Sequence, residues 1–231
     1  MTEPQYFDPY TRIEAAICGR LKAGLGAMVR DVKSYGGELD DDLGQIVRAL
    51  PAAWVTFGGI TGTRPYSTSK EKWVATGRFA VMAGQSNARS EEAMRRGGHR
   101  PQEIGTNPLV WAIRRLLIQQ DLTDQDATLE ISALRPGRVR TLFNTQLRGD
   151  AVSVFACEFE TDWIEEALVN GRFPSAPAEG AEESYDALFA RYTGSRSPAD
   201  PDLTRVDLNY HLTPIKPTPD ATDSVLFDKE D

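Results

Sequence analysis

Past Trp163 the chain changes character, and that change bounds what it can fold into. Seven of its 14 prolines (174, 177, 198, 201, 214, 217 and 219) fall in the last 67 residues, among acidic and small polar side chains. The excess negative charge is there as well. Residues 165–231 carry 14 acidic and 6 basic side chains, residues 1–164 carry 20 of each, and the difference is the chain's net −8. A segment of this make-up cannot bury enough apolar surface to build its own core. The folded unit must therefore come from what precedes it, and that stretch is long enough for one substantial core. We expect a domain over residues 1–163 and an extended C-terminal arm over 164–231.

Within the body, apolar spacing sets the elements. Thr11-Arg12-Ile13-Glu14 has the form of a capping box, and Ile13, Ile17, Leu21, Leu25 and Met28 then recur as one stripe of an amphipathic helix ending near Val29. A short helix over 43–50 is stopped by Pro51. Residues 52–57 read as a buried strand closed by Gly58-Gly59, with a loop from 59 to 69. From 72 to 83 the chain alternates, Trp73, Ala75, Gly77, Phe79 and Val81 on one face and Val74, Thr76, Arg78, Ala80 and Met82 on the other: a long strand. Residues 86–96 read as a helix ending at Gly97-Gly98. Asn107-Pro108 opens another, through about Gln120, with Leu109, Ile113, Leu116 and Leu117 inward. Strands over 128–133, 138–144 and 151–160 complete the body. In the arm, only 182–192 (helix) and 204–212 (strand) have the pattern of ordered elements. Helices interspersed with mainly adjacent strands make an α+β fold, a mostly antiparallel sheet covered by helices, carrying a long proline-rich acidic C-terminal extension.

The inventory for chemistry is poor. His99 and His211 are the only histidines, and no Cys-x-x-Cys, His-Glu-x-x-His or His-x-His spacing accompanies them. Residues 58–64, rich in glycine, lack the Gly-Lys-Ser/Thr ending of a phosphate loop and read as a turn. Glu38, Asp40, Asp41 and Asp42 are the densest carboxylate cluster, without the glycine and distant glutamate of a calcium loop; they read as a solvated turn. Cys18 and Cys157 sit in apolar patterns and read as buried, reduced thiols. We therefore expect no catalytic residues, no metal and no cofactor, and a protein that is not an enzyme. The N-terminus lacks the basic-then-apolar pattern of a signal peptide, and no stretch approaches the roughly 20 apolar residues of a membrane helix, so no membrane partner is expected.

Charge suggests contacts instead. Residues 64–148 carry 14 basic against 8 acidic side chains, opposite in sign to the arm, which suits complementary surfaces on neighbouring chains. Arg89, Arg95, Arg96 and Arg100 form a basic run without interleaved aromatics, so it lacks stacking platforms for single-stranded nucleic acid. These four, with Tyr210 in the arm, are the candidate partner-contact residues.

Several stretches in order then resemble the Mu-like bacteriophage tail terminator family. They are Ile13-Glu14-Ala15-Ala16-Ile17, the Val-Lys-Ser-Tyr-Gly of 32–36, Pro51-Ala52-Ala53-Trp54-Val55 leading into Gly58-Gly59, the charged strand 72–83, 107–117, Arg138-Val139-Arg140, and 151–161. The resemblance covers residues 11–163. It implies a virion protein of a contractile tail, a ring of six copies that caps the tail tube and stops tube and sheath polymerisation. Its implied partners are copies of itself, the tail tube protein, the sheath protein and the neck proteins, with DNA only passing through the channel. The protein would be made in the host cytoplasm and reside at the tail–neck junction of the virion. The alternative is a neck or head-completion connector of the same phage type.

Overall fold

The structure, a computed structural model, describes residues 8–37, 39, 47–87, 91–98, 103–147, 150–175, 186–198, 205–211, 219 and 221–226. Helix α1 (Pro9–Leu25) begins two residues before the predicted capping box. Asp8 is its cap, accepting the Thr11 amide at 2.8 Å, and Pro9 enters the first turn, where its missing N–H costs nothing. Glu14 is thereby released from capping. Its carboxylate accepts the Phe57 amide at 2.8 Å and the Ser34 hydroxyl, tying the helix to two strands. Ile13, Ile17, Leu21 and Leu25 are buried as the spacing requires, each contributing roughly 1.5–3 kcal/mol of apolar burial before entropy is counted. A 3-10 turn (Gly26–Met28) ends the helix.

Five strands form the sheet: β1 (Asp31–Ser34), β2 (Ala52–Pro65), β3 (Lys72–Asn87), β4 (Arg135–Leu147) and β5 (Asp150–Glu166), in the order β1-β2-β3-β5-β4. Only β1 and β2 pair in parallel; the other pairings are antiparallel, as expected for this α+β fold. Helices α2 (Glu91–Arg96) and α3 (Thr106–Leu117) follow β3. The stripes of α1 and α3 pack on one sheet face over Ala53, Val55, Phe79, Val81, Cys157, Phe159 and Trp163. On the other face a smaller cluster of Leu50, Trp54, Met82, Val152 and Val154 packs against Tyr35, Leu39, Val47, Ala49 and Leu142.

Several boundaries differ from the sequence expectation. The run 52–57 does not stop at the glycine pair: Gly59, at φ +96°, makes a bulge, and β2 resumes pairing to Pro65. β3 runs on through 84–87, so residues 86 and 87 continue the strand instead of opening a helix, because β5 pairs with them to Ala151 and the Gln85 amide donates to the Ile104 carbonyl at 2.6 Å. The helix there is α2 alone. Helix α3 starts at Thr106 with Gly105 as its cap, so Asn107 and Pro108 lie inside the first turn, and it ends at Leu117. Residues 128–133 are not a strand. Asp126 folds the chain there by accepting the Thr128 amide and hydroxyl at 3.1 and 2.9 Å, and only Ile131 bridges to Trp163. Residues 47–49 are helical, and the carboxylates Glu38, Asp40, Asp41 and Asp42 lie outside the described residues.

In the C-terminal segment the short helix α4 (Ala187–Arg191) and strand β6 (Arg205–Tyr210) fall within the expected stretches. A further strand, β7 (Ala221–Leu226), which periodicity did not suggest, pairs with β6 as a separate two-stranded sheet.

Candidate interaction surface

Helix α3 is strongly amphipathic. Leu109, Ala112, Ile113 and Leu117 are buried, while Asn107, Trp111 and Arg115, four residues apart, form an outward stripe. Trp111 is 68% exposed, the largest apolar side chain of the helix turned to solvent. At the head of the stripe, Asn107 joins Glu92, Arg95 and Arg96 of α2 around an open cleft of about 270 Å³. The Thr106 hydroxyl donates to the Met94 carbonyl at 3.2 Å, and Met94 is fully buried, so α2 is pinned where its last turn faces the start of α3. Arg96 pairs with Glu92 at 2.7 Å, but both side chains are well exposed, so the pair adds little stability. The result is an exposed indole on the same stripe of α3 as Arg115, with Arg95 and Arg96 of α2 lining the cleft at the head of that stripe. Tryptophan and arginine are the side chains that most often anchor protein interfaces.

Of the predicted contact residues, the structure thus brings Arg95 and Arg96 together at one cleft. Tyr210 lies elsewhere, half-exposed on β6, and Arg89 and Arg100 lie outside the described residues. His99 does too, and His211 is exposed at the end of β6. Trp111 escaped the sequence reading because the inward stripe Leu109, Ile113, Leu117 accounts for the apolar pattern of the helix. Its signal is that a tryptophan stands four residues from Arg115 on the complementary stripe.

A second surface lies on the sheet face opposite α1 and α3, where no described helix packs beyond residues 47–49. Residues of alternate parity on β3, β4 and β5 place Arg78, Arg135, Arg140, Glu158, Glu160 and Asp162 there as a ribbon of ion pairs. Arg78 contacts Glu160 at 3.0 Å and Glu158 at 3.7 Å, Arg140 contacts Glu158 at 3.3 Å, and Arg135 contacts Asp162 at 2.7 Å. Glu158 is 7% exposed and is compensated from both sides. Burial alone would raise the Asp162 carboxyl, but hydrogen bonds from Arg135 and Thr76, with the charges of Arg135 and Arg64, outweigh it and hold the group below the usual carboxylate range. The alternation of 72–83 anticipated the face of Arg78; the partners across it become visible only with the register of β3 on β5.

Neither thiol is placed for chemistry. Burial, reinforced by the charges of Glu14 and Asp31, pushes Cys18 up to about 12, and burial pushes Cys157 up to about 11, so both stay protonated near neutral pH. Cys18 is half-buried where full burial was expected; neither cysteine is in a disulfide. Among the described residues no cluster of His, Cys, Asp or Glu is arranged to hold a metal, and no helix is long and apolar enough to cross a membrane.

A family model described as Bacteriophage Mu, Gp37 matches residues 9–164. The chain belongs to that family. The Gp37 match runs from the first turn of α1 nearly to the end of β5, so it takes in the five strands of the sheet, the helices packed on it, the Trp111 stripe and the ion-paired face. It makes the chain a protein of Mu-like bacteriophage type. No curated protein matches the chain.

Proposed function

We propose that this Gp37-family protein is a structural component of the virion, the tail terminator, and not an enzyme. In this reading copies of the chain close into a ring, six in number, on the finished tail tube, stop tube and sheath growth and offer the next surface to the neck. The observation that carries the reading is the family match over the whole α+β body, in which the stretches resembling tail terminators occur in order. A cap must bind a growing end on one side and refuse to propagate on the other, which calls for two unlike surfaces and for a heterologous contact that closes by rotation. The Trp111 stripe with Arg95, Arg96 and Arg115 is an apolar and cationic patch, and the Arg78–Glu160 face is a polar, internally compensated one. We assign the first to an assembly partner, because an exposed indole on a stripe that also carries arginine gains most from being covered.

The test is titration of the purified protein into polymerising tail tube protein of the same phage. Tubes that shorten with dose and carry the protein at their ends support capping. Tubes of unchanged length, with the protein bound instead to isolated heads or necks, would overturn it in favour of a neck or head-completion connector.

A further inference from the structure

The β6–β7 hairpin has two unlike faces. Register places Val206 opposite Val225, Leu208 opposite Asp223 and Tyr210 opposite Ala221, so one face is apolar but for Asp223. The other carries Arg205, Asp207, Asn209, Thr222 and Ser224, with Leu226 opposite Arg205, and hydrogen bonds of 2.6 Å run from Arg205 and from Ser224 to Asp207. Among the described residues the apolar face is left partly open: Leu208 is 42%, Tyr210 50% and Val225 43% exposed. A two-stranded hairpin alone is marginal in water, and an uncovered apolar face makes it more so.

An acceptor exists on the body. Strand β4 is the last of the five-stranded sheet, and among the described residues no strand pairs with its outer edge. It has no acidic side chain; Arg135 and Arg140 on it are already paired with Asp162 and Glu158, while Arg138 is exposed with no ion-pair partner among the described residues, and Val139 beside it is exposed as well. The segment that carries the hairpin has the opposite sign: residues 199–231 contain eight acidic side chains and three basic ones, although the hairpin itself, 205–226, holds only Asp207, Asp220 and Asp223 against Arg205 and Lys216, so the charge lies mainly in its flanks. A long free edge is a template for an added strand, and opposite charge selects which strand adds.

We propose that the β6–β7 hairpin of one copy adds to the outer edge of β4 in a second copy, so that each chain holds its neighbour by its C-terminal arm. The contact is heterologous, and repeated from copy to copy it links a ring. It does not depend on what the ring caps, and its failure would leave the tube-capping result untouched.

The experiment uses the full chain with a photoreactive benzoylphenylalanine in place of Leu208, mixing isotopically heavy and light copies before irradiation. Adducts joining a heavy hairpin to the light peptide spanning 135–141 are expected. Arg138→Glu, with its fold checked by circular dichroism, should cut their yield by about fivefold, the effect of a small loss in contact energy. Adducts only within a single chain, adducts at other sites, or none at all would overturn the proposal. An Arg138→Glu yield equal to that of the parent would also overturn it, because the arginines would then merely guard the edge.

Discussion

Replacing Gly77 with alanine should destabilise the body, for a reason specific to one contact. Gly77 lies beneath the indole of Trp163, and a Cβ there would stand under 3.0 Å from the ring atoms Cη2 and Cζ3 and 3.4 Å from Phe57 Cε2. The ring is poorly placed to yield. Its Nε1 donates to Glu165 at 2.9 Å, it makes a T-shaped contact with Tyr10 at a centroid distance of 5.6 Å, and Tyr10 stacks in turn on Phe57 at 4.7 Å. Overpacking of this kind costs about 1–3 kcal/mol, against which the lower flexibility of alanine in the unfolded chain returns about 0.5–1 kcal/mol. The net is about 1–2 kcal/mol, or roughly 2–8 °C in melting temperature for a domain of this size. Thermal melts of Gly77→Ala, Trp163→Leu and the double variant form a cycle. In the Trp163→Leu background, where the clashing ring is gone, Gly77→Ala should cost nothing or stabilise. An equal cost in both backgrounds would refute the argument, since the penalty would then not come from the indole.

Glu14→Ala should cost about 1–3 kcal/mol in chemical denaturation, because it leaves the Phe57 amide beside the β2 bulge without its acceptor. Asp162→Asn should destabilise at neutral pH by about 1–2 kcal/mol through weaker charge-assisted bonds to Arg135 and Thr76. Because the folded carboxyl is held below its unfolded value, that stabilisation is present above about pH 4 and is lost as pH falls through the depressed folded value, so melts of parent and variant should converge in acid. Trp111→Ala should leave the melting curve within about 0.5 kcal/mol of the parent, as befits an exposed side chain, yet weaken tube capping by about tenfold or more.

The body was legible in the sequence to the extent that periodicity carries information. The α1 stripe from Ile13 to Leu25, the alternation of β3 and the inward face of α3 are where spacing put them, because each buries one side against a single core; Met28, expected to close the stripe, is exposed in the turn after the helix. Two kinds of feature were not legible. Strand ends were set by partners: β2 outlasts its glycines, and β3 extends past Ala83, because neighbouring strands continue to supply hydrogen bonds. Local polar chemistry was also underestimated. Asp8-Pro9 outcompeted Thr11 and Glu14 as the helix start, and Asp126 turned an apparent strand into a loop anchored to Arg12 at 2.7 Å. For the candidate surface, the basic run pointed to Arg95 and Arg96; Trp111 had only the weak local signal of its spacing from Arg115, and the free edge of β4 follows from the assembled sheet alone.

The measurement that bears most directly on the central claim is the distribution of tail lengths, by electron microscopy, in phage from which this gene has been deleted. The account predicts tubes that run past the normal length, with normal length restored when the intact chain is supplied. Tails of normal length that fail only to join heads would contradict it.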